Sequence, residues 1–229
     1  FGIPLVPEDR TYPIALGGMH VGTSPFVMAQ AYSTFANDGV QVEAHAIREV
    51  QNAEGEIIGK WYKKETRVTS EKIAQKMTYL LKGVVEKGTG EKAKVTNVDT
   101  AGKTGTTQLV NGPSVGAKDS WFVGYTPDLV GAIWVGYDKT DSEHYVPGGS
   151  QITTTMFRDI MKKANANPAQ KAFQLSLISE ADYKKQLQTI EEEKRRKEEE
   201  KKRQEEEQQR KKEQQEWFNK VKEWIPSLW

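Results

Sequence analysis

The chain has 229 residues, with 33 basic side chains, 32 acidic side chains and no cysteine. A net charge of +1 gives no general attraction to nucleic acid or to membranes, and the absence of cysteine excludes disulfides and cysteine-based metal sites. No run of about 20 apolar residues occurs in it. Composition divides the chain into ordinary globular sequence at 1–172, a connecting segment at 173–190 and a charged segment at 191–229 that ends in aromatic residues.

The first predicted elements are a helix and a hairpin. The helix begins at Thr23-Ser24-Pro25, because serine caps helix N-termini and proline is favoured at the first helical position, and it ends at Gly39. Turn residues at 52–55 separate two β-rich runs at 46–50 and 57–61, which predicts the hairpin.

A second predicted helix begins at Ser70 and ends at Gly88. Its apolar residues recur at helical spacing and form one apolar stripe made of Ile73, Met77, Leu80, Leu81, Val84 and Val85.

Three short strands are predicted next, at 98–107, 120–125 and 130–137. The tight turn Thr126-Pro127-Asp128 should make the last two an antiparallel hairpin. A final amphipathic helix ends before Pro168 and carries Met156, Phe157, Ile160 and Met161. Helices before and after a strand meander predict an α+β fold, with a partial antiparallel β-sheet covered by helices on both faces.

The segment 101–107, Ala-Gly-Lys-Thr-Gly-Thr-Thr, carries the chemistry. Lys103 offers an ammonium group, Thr104 offers a hydroxyl, and Gly105 lets a ligand approach the backbone closely. These properties suit the anionic end of a peptide. Strand alternation places Lys103 and Gly105 on one face and Thr104 and Thr106 on the other, so a shared ligand requires an exposed sheet edge.

At these residues the chain resembles the transpeptidase domain of penicillin-binding proteins, in particular the bifunctional class A enzymes of Gram-positive bacteria. Further segments follow the family's order over roughly residues 1 to 165. They are Leu16-Gly17-Gly18, Thr23-Ser24-Pro25 leading into 31–39, then 84–90, 119–127 and 134–138.

The resemblance implies a serine-type D,D-transpeptidase that crosslinks the D-Ala-D-Ala stem peptides of peptidoglycan, is trapped by β-lactams and needs no metal or cofactor. Lys103 would supply positive field and relay the proton, and the backbone N–H of Thr106 would complete the oxyanion hole. The hydroxyls of Thr104 and Thr106 would hold the terminal carboxylate, Gly105 would admit the peptide, and Thr107 would continue the binding strand.

The family's nucleophilic Ser-x-x-Lys and its second motif, Ser-x-Asn, are absent, since no serine is followed by lysine three residues on or by asparagine two residues on. The chain also begins at Phe1, inside what the family would call one domain. We therefore expect a C-terminal portion of a longer protein, which is inactive alone and lacks two strands of the family's five-stranded sheet. The upstream part would hold the nucleophile and the anchor to the extracytoplasmic face of the cell membrane.

The sequence does not support two other kinds of site, a phosphate-binding loop and a metal centre. Gly102-Lys103-Thr104 matches the end of a phosphate-binding P-loop, but the first glycine of that motif would be residue 97, which is asparagine. His20, His45 and His144 lack the spacing of a metal site. The alternative is a non-catalytic envelope scaffold that acts through its C-terminal helix.

The charged segment has no apolar residue from Glu191 to Glu216, which excludes a coiled-coil seam there. Opposite charges recur at i,i+4, and each such pair stabilises a helix by about 0.2 to 0.5 kcal/mol. A single helix near 39 Å long is predicted for those residues, at about 1.5 Å per residue; a disordered tail is the alternative.

Beyond Glu216, near the end of the charged segment, apolar residues return on one helical stripe. They are Trp217, Val221, Trp224 and Leu228, with Phe218 and Ile225 beside them. We expect this stripe to dock on the globular part, on a membrane surface or on another envelope protein.

Overall fold

The computed structural model describes residues 1–109, 116–164 and 171–224. The helices are α1 (Pro25–Ala36), α2 (Glu71–Lys87), α3 (Gln151–Ala164) and α4 (Glu180–Trp224). The strands are β1 (Val40–Val42), β2 (Glu49–Gln51), β3 (Ile57–Lys60), β4 (Glu65–Arg67), β5 (Ala101–Gln108), β6 (Gly116–Tyr125), β7 (Val130–Gly136) and β8 (Val146–Pro147). Contacts divide the chain into a globular unit, Phe1–Leu177, and a second unit, Ile178–Trp229.

The central sheet is antiparallel, in the order β5-β6-β7, with β8 paired to the start of β6. The predicted turn between β6 and β7 is present, and the backbone N–H of Thr126 donates to the carbonyl of Leu129 at 2.8 Å. Two small antiparallel pairs lie outside this sheet, β1 with β4 and β2 with β3. The second of them is the predicted hairpin.

Helices pack on both faces of the sheet, as predicted. Phe122 and Tyr125 are three residues apart on β6 and so point to opposite faces. Phe122 packs in one buried cluster with Val85, Phe157 and neighbouring residues. Tyr125 packs in another with Ala101, Leu81 and part of α1. The hydroxyl of Tyr125 lies 2.8 Å from that of Thr78, and burial raises the pKa of Tyr125.

Both predicted helix starts are confirmed by their caps. The Ser24 hydroxyl accepts a hydrogen bond from the backbone N–H of Val27, and the Ser70 hydroxyl accepts one from that of Ile73, each at 3.3 Å. Gly88 ends α2, as expected.

The apolar residues of α2 and α3 are only partly buried. Ile73 and Leu80 of α2 are 55% and 51% exposed, because the buried face of this helix is rotated towards Ala74, Thr78 and Leu81. On α3, Phe157 and Met161 are buried whereas two other predicted residues are exposed, Met156 and Ile160. This helix ends at Ala164, and Pro168 lies outside the described residues. Hydrophobic periodicity predicts the spacing of the buried residues along each helix. It does not predict which side of the helix is buried, because that depends on the sheet residues that pack against it.

Residues 173–177, which the sequence assigned to the connecting segment, contact the globular unit. The backbone N–H of Phe173 donates to Asp99 at 3.1 Å, and that of Leu177 donates to the side chain of Gln75 at 2.9 Å. The ring of Phe173 also packs edge-on against Tyr125. The globular unit therefore extends beyond the predicted boundary at residue 172.

The second unit is dominated by α4. This helix begins at Glu180, earlier than the predicted start at residue 191, and continues to Trp224. Among the i,i+4 pairs of opposite charge, the Lys211 ammonium lies 2.7 Å from the carboxylate of Glu207 and lowers the pKa of Glu207 through their hydrogen bond. The predicted helical arm is confirmed. Of the predicted stripe, Ile225 and Leu228 lie outside the described residues.

Within the described ranges, none of the helices combines the length and the apolar character that crossing a bilayer requires.

Candidate active site

Strand β5 carries the Lys-Thr-Gly segment at the edge of the sheet. Among the described strands β5 pairs only with β6, so its other side is free of a strand partner. Its first residues, Ala101 and Gly102, are buried, whereas Lys103 and Thr106 are exposed. The strand is thus buried at its first two residues and partly or fully exposed from Lys103 to Gln108.

At the start of β5 the backbone packs closely against β6. A Cβ atom added to Gly102 would lie 2.5 Å from the ring of Phe122 and 2.8 Å from the carbonyl oxygen of Val123. Gly102 therefore lets β5 lie against β6 where a side chain would collide. The packing of β5 against β6 therefore requires this glycine.

Lys103 and Gly105 share one face with their partners on β6, Val123 and Trp121. The Lys103 ammonium donates to the carbonyl oxygen of Thr104 at 2.9 Å. A Cβ added to Gly105 would lie 3.1 Å from the Cβ of Trp121, which is tighter than ordinary contact. The space above Gly105 is therefore bounded by an indole and lies next to a cation.

Thr104 faces the other side of β5 and meets a residue that the sequence did not assign to the site. Its hydroxyl oxygen lies 2.8 Å from that of Thr89, in the turn after α2. Two glycines flank Thr89, and the backbone N–H groups of Gly88 and Gly90 both donate to the carbonyl of Val84. The Gly-Thr-Gly turn after a helix was the available sequence signal, but only the fold brings it to β5.

Thr106 and Thr107 complete the exposed half of the strand. Both side chains are exposed, and their register partners on β6 are Ser120 and Asp119. The register shifts immediately after Thr107, so regular pairing ends there. The five predicted site residues, 103–107, are consecutive and accessible at one sheet edge.

The histidines contribute to local structure. His144 lies 2.9 Å from the carboxylate of Asp141, and this hydrogen bond, with two from backbone N–H groups, lowers the pKa of Asp141 to about 2. His45 stacks on Trp61. In the described part of the chain, no group of three or more histidine, aspartate and glutamate side chains is arranged to hold a metal ion.

Comparison with known proteins identifies the family to which the globular unit is related. Residues 8–162 match the model of the penicillin-binding protein transpeptidase domain. The chain belongs to this family. The matched region includes α1, α2, the whole central sheet and most of α3, so the transpeptidase fold provides the setting of the Lys-Thr-Gly strand.

Two relatives and one solved structure define the similarity. The chain is 37% identical over 196 residues to penicillin-binding protein 2a of Streptococcus pneumoniae, covering 82% of this chain and 26% of that protein. It is 42% identical over 156 residues to penicillin-binding protein 1F of Bacillus subtilis, covering 68% and 22%. The penicillin-binding protein PonA1 of Mycobacterium tuberculosis superposes with a TM-score of 0.61 at 26% identity, covering 72% of this chain and 43% of that one.

These matches confirm the resemblance to class A penicillin-binding proteins. The chain spans only about a quarter of the length of these relatives, 26% of penicillin-binding protein 2a and 22% of penicillin-binding protein 1F. In the described residues, the central sheet consists of β5 to β8, which all follow α2 in the sequence. The match to the family model begins upstream of them, at residue 8.

Proposed function

We propose that this chain supplies the Lys-Thr-Gly half of a peptidoglycan D,D-transpeptidase site. One observation carries the proposal: residues 103–107 are accessible to solvent, fully at Lys103, Thr106 and Thr107, on a sheet-edge strand within a penicillin-binding protein transpeptidase domain. An enzyme that joins peptide stems needs a surface that aligns an extended peptide, and a free strand edge has that geometry.

A D-Ala-D-Ala stem peptide binds along β5 as an additional strand. The backbone of β5 aligns the peptide, and Gly105 allows it to approach next to Trp121. The hydroxyls of Thr104 and Thr106 hold its terminal carboxylate, and Thr107 continues the binding strand. A single ligand contacts both faces of β5 at the edge, because edge residues are accessible from the side.

A serine on a segment outside this chain is the nucleophile, since the sequence contains no Ser-x-x-Lys. Its hydroxyl oxygen bonds to the carbonyl carbon of the penultimate D-Ala, and the bond to the terminal D-Ala breaks. The serine proton passes to the departing amine. The amine of a neighbouring stem then bonds to the acyl carbon, the bond from that carbon to the serine oxygen breaks, and the proton lost by the amine returns to the serine oxygen.

Lys103 and the backbone of Thr106 stabilise the charges of that reaction. The Lys103 ammonium provides a fixed positive charge and helps relay the proton. The N–H of Thr106 and the N–H of the serine donate to the developing oxyanion, a kind of stabilisation that is often the largest contribution to catalysis. The reaction uses no metal or cofactor, and β-lactams acylate the same serine.

This activity is placed at the extracytoplasmic face of the cell membrane, where peptidoglycan lies. The scaffold alternative, in which the globular unit only carries α4, is less favoured, because the residues of the family's Lys-Thr-Gly motif are present and exposed.

Fluorescent penicillin labelling tests the proposal. The 229-residue chain alone should not be labelled, because it lacks the nucleophile. A completed domain, in which this chain is joined to the upstream half of a class A transpeptidase domain, should be labelled covalently at one serine. Stoichiometric labelling of the chain alone contradicts the split site, and an unlabelled completed domain that is folded by circular dichroism favours the scaffold.

A further inference from the structure

The last two turns of α4 differ from the rest of the charged segment. Residues 191–216, here called the shaft, contain ten basic and eleven acidic side chains and no apolar one. Residues 217–224, here called the aromatic end, contain Trp217, Phe218, Val221 and Trp224. Trp217 is 64% exposed. Trp217 therefore places an exposed indole ring at the end of a shaft that has only polar and charged side chains, and a cluster of exposed apolar residues indicates a binding surface.

The helix continues through the aromatic end, so its residues can be placed around the axis at about 100° each. Counted from Trp217, the positions of Trp224, Val221 and Phe218 fall at about −20°, 40° and 100°. The four apolar positions therefore occupy one arc about 120° wide. One turn earlier Gln214 falls inside this arc, at about 60°, and Glu213 falls just outside it, at about −40°, so the apolar face begins at Trp217.

Charged residues are arranged symmetrically about this arc. Lys222 lies about 40° beyond the position of Phe218, and Lys220 lies about 40° beyond that of Trp224. Asn219 and Glu223 lie on the opposite side, at about 200° and 240°. The helix thus has an apolar sector, a lysine at each border and its acidic residue farthest away.

This arrangement matches a lipid interface better than a protein surface. In the plane of a membrane, lysines bordering an apolar sector extend to the headgroups while their stems stay in contact with apolar surface. Tryptophan is enriched at that depth, because its ring is apolar and its N–H is polar.

A second copy of the chain fits less well. A stable protein interface needs about 20 to 30 residues on each side, whereas the aromatic end offers two helical turns. The shaft cannot extend such an interface, because it has no apolar seam. Its nearly balanced charges also give it no attraction of its own to an anionic surface.

We propose that the aromatic end of α4 binds a phospholipid surface, with its apolar sector in the interface and Lys220 and Lys222 at the headgroups. This function is independent of the proposed transpeptidase activity and adds a membrane contact carried by this chain itself.

The experiment is sedimentation of the 229-residue chain with phospholipid vesicles, made of phosphatidylcholine alone or mixed with phosphatidylglycerol. The parent chain should bind both and prefer the anionic mixture. Trp217→Ala with Trp224→Ala should weaken binding to both by at least about tenfold, because it removes most of the apolar area. Tyr12→Ala with Tyr62→Ala removes two aromatic rings of the globular unit that are 96% and 75% exposed, and should leave binding unchanged.

A charge reversal separates the role of the lysines. Lys220→Glu with Lys222→Glu should weaken binding to the anionic vesicles by roughly tenfold and change binding to neutral ones little. Lys202→Glu with Lys212→Glu makes the same charge change in the shaft and should have a much smaller effect.

Circular dichroism should show the same helix content in all variants. A parent chain that does not sediment with vesicles overturns the proposal, even if it captures an envelope protein. Equal binding by the parent and the tryptophan double variant overturns it as well. Neither vesicle-binding result affects penicillin labelling of the completed domain. The membrane-binding proposal and the transpeptidase proposal can therefore be refuted independently.

Discussion

The hydroxyl oxygens of Thr89 and Thr104 lie 2.8 Å apart and join the turn after α2 to strand β5. A hydroxyl can donate one hydrogen bond and accept others, so Thr89 can donate to Thr104 while Thr104 donates to a ligand carboxylate. In the proposed reaction Thr89 would then be a positioning residue, which acts only through Thr104.

Thr89→Val in the completed domain should therefore slow acylation by penicillin about 2- to 10-fold, the cost of one hydrogen bond of about 0.5 to 1.5 kcal/mol. Thr89→Ser should restore the parent rate, because it keeps the hydroxyl. Thr66→Val, on the exposed strand β4, serves as the control. In a chain that already carries Thr104→Val, Thr89→Val should cause no further decrease in the acylation rate. A further decrease as large as in the parent would contradict the inference that Thr89 acts through Thr104.

Lys103 should contribute much more to acylation than another exposed lysine of the same sheet. In the completed domain Lys103→Ala should lower the acylation rate by about 10² to 10³, since it removes a charge directed at the reacting atoms. Lys118→Ala removes the same charge from β6, at the position where the register of β5 and β6 shifts, and should change the rate little. Equal rates in the two variants would refute the role given to Lys103.

Gly102 and Gly83 should respond in opposite directions to the same substitution. Gly102→Ala places a methyl group against a backbone carbonyl and should destabilise the fold by about 1 to 3 kcal/mol. Gly83 lies inside α2, where an added Cβ would meet nothing within 4 Å. Gly83→Ala should stabilise the fold by about 0.5 to 1 kcal/mol, because alanine favours the helix. Urea unfolding of both variants measures the difference, and a destabilised Gly83→Ala chain would contradict this account.

Tyr125 should make stability fall with pH in the alkaline range. Burial raises its pKa in the folded state, so above pH 10 the unfolded chain loses the phenolic proton first. The folded state then binds more protons, and the free energy of unfolding falls as pH rises, by at most about 1.4 kcal/mol per pH unit. Tyr125→Phe should reduce the slope measured by urea unfolding between about pH 9 and pH 11. Tyr12→Phe, at a 96% exposed residue, should not change it, and equal slopes in all three chains would contradict the prediction.

The sequence by itself was sufficient for the elements whose causes are local. Ser24, Ser70 and Gly88 fix helix ends, because caps and stops act on backbone groups within one turn. The turn at 126–128 likewise predicts the β6-β7 hairpin. The Lys-Thr-Gly segment and its accompanying motifs were enough to indicate the family, because several short motifs in the same order are far more specific than any one of them.

Only the tertiary structure decided which faces are buried and which distant residues meet. Ile73 and Leu80 fit the helical period but face solvent, because the residues of the sheet opposite α2 determine which side of the helix packs. Thr89 and Thr104 are fifteen residues apart in sequence, and their contact depends on how α2 and β5 pack. Periodicity gives the spacing of a buried face, but its direction and its partners arise from non-local packing, which no short segment encodes.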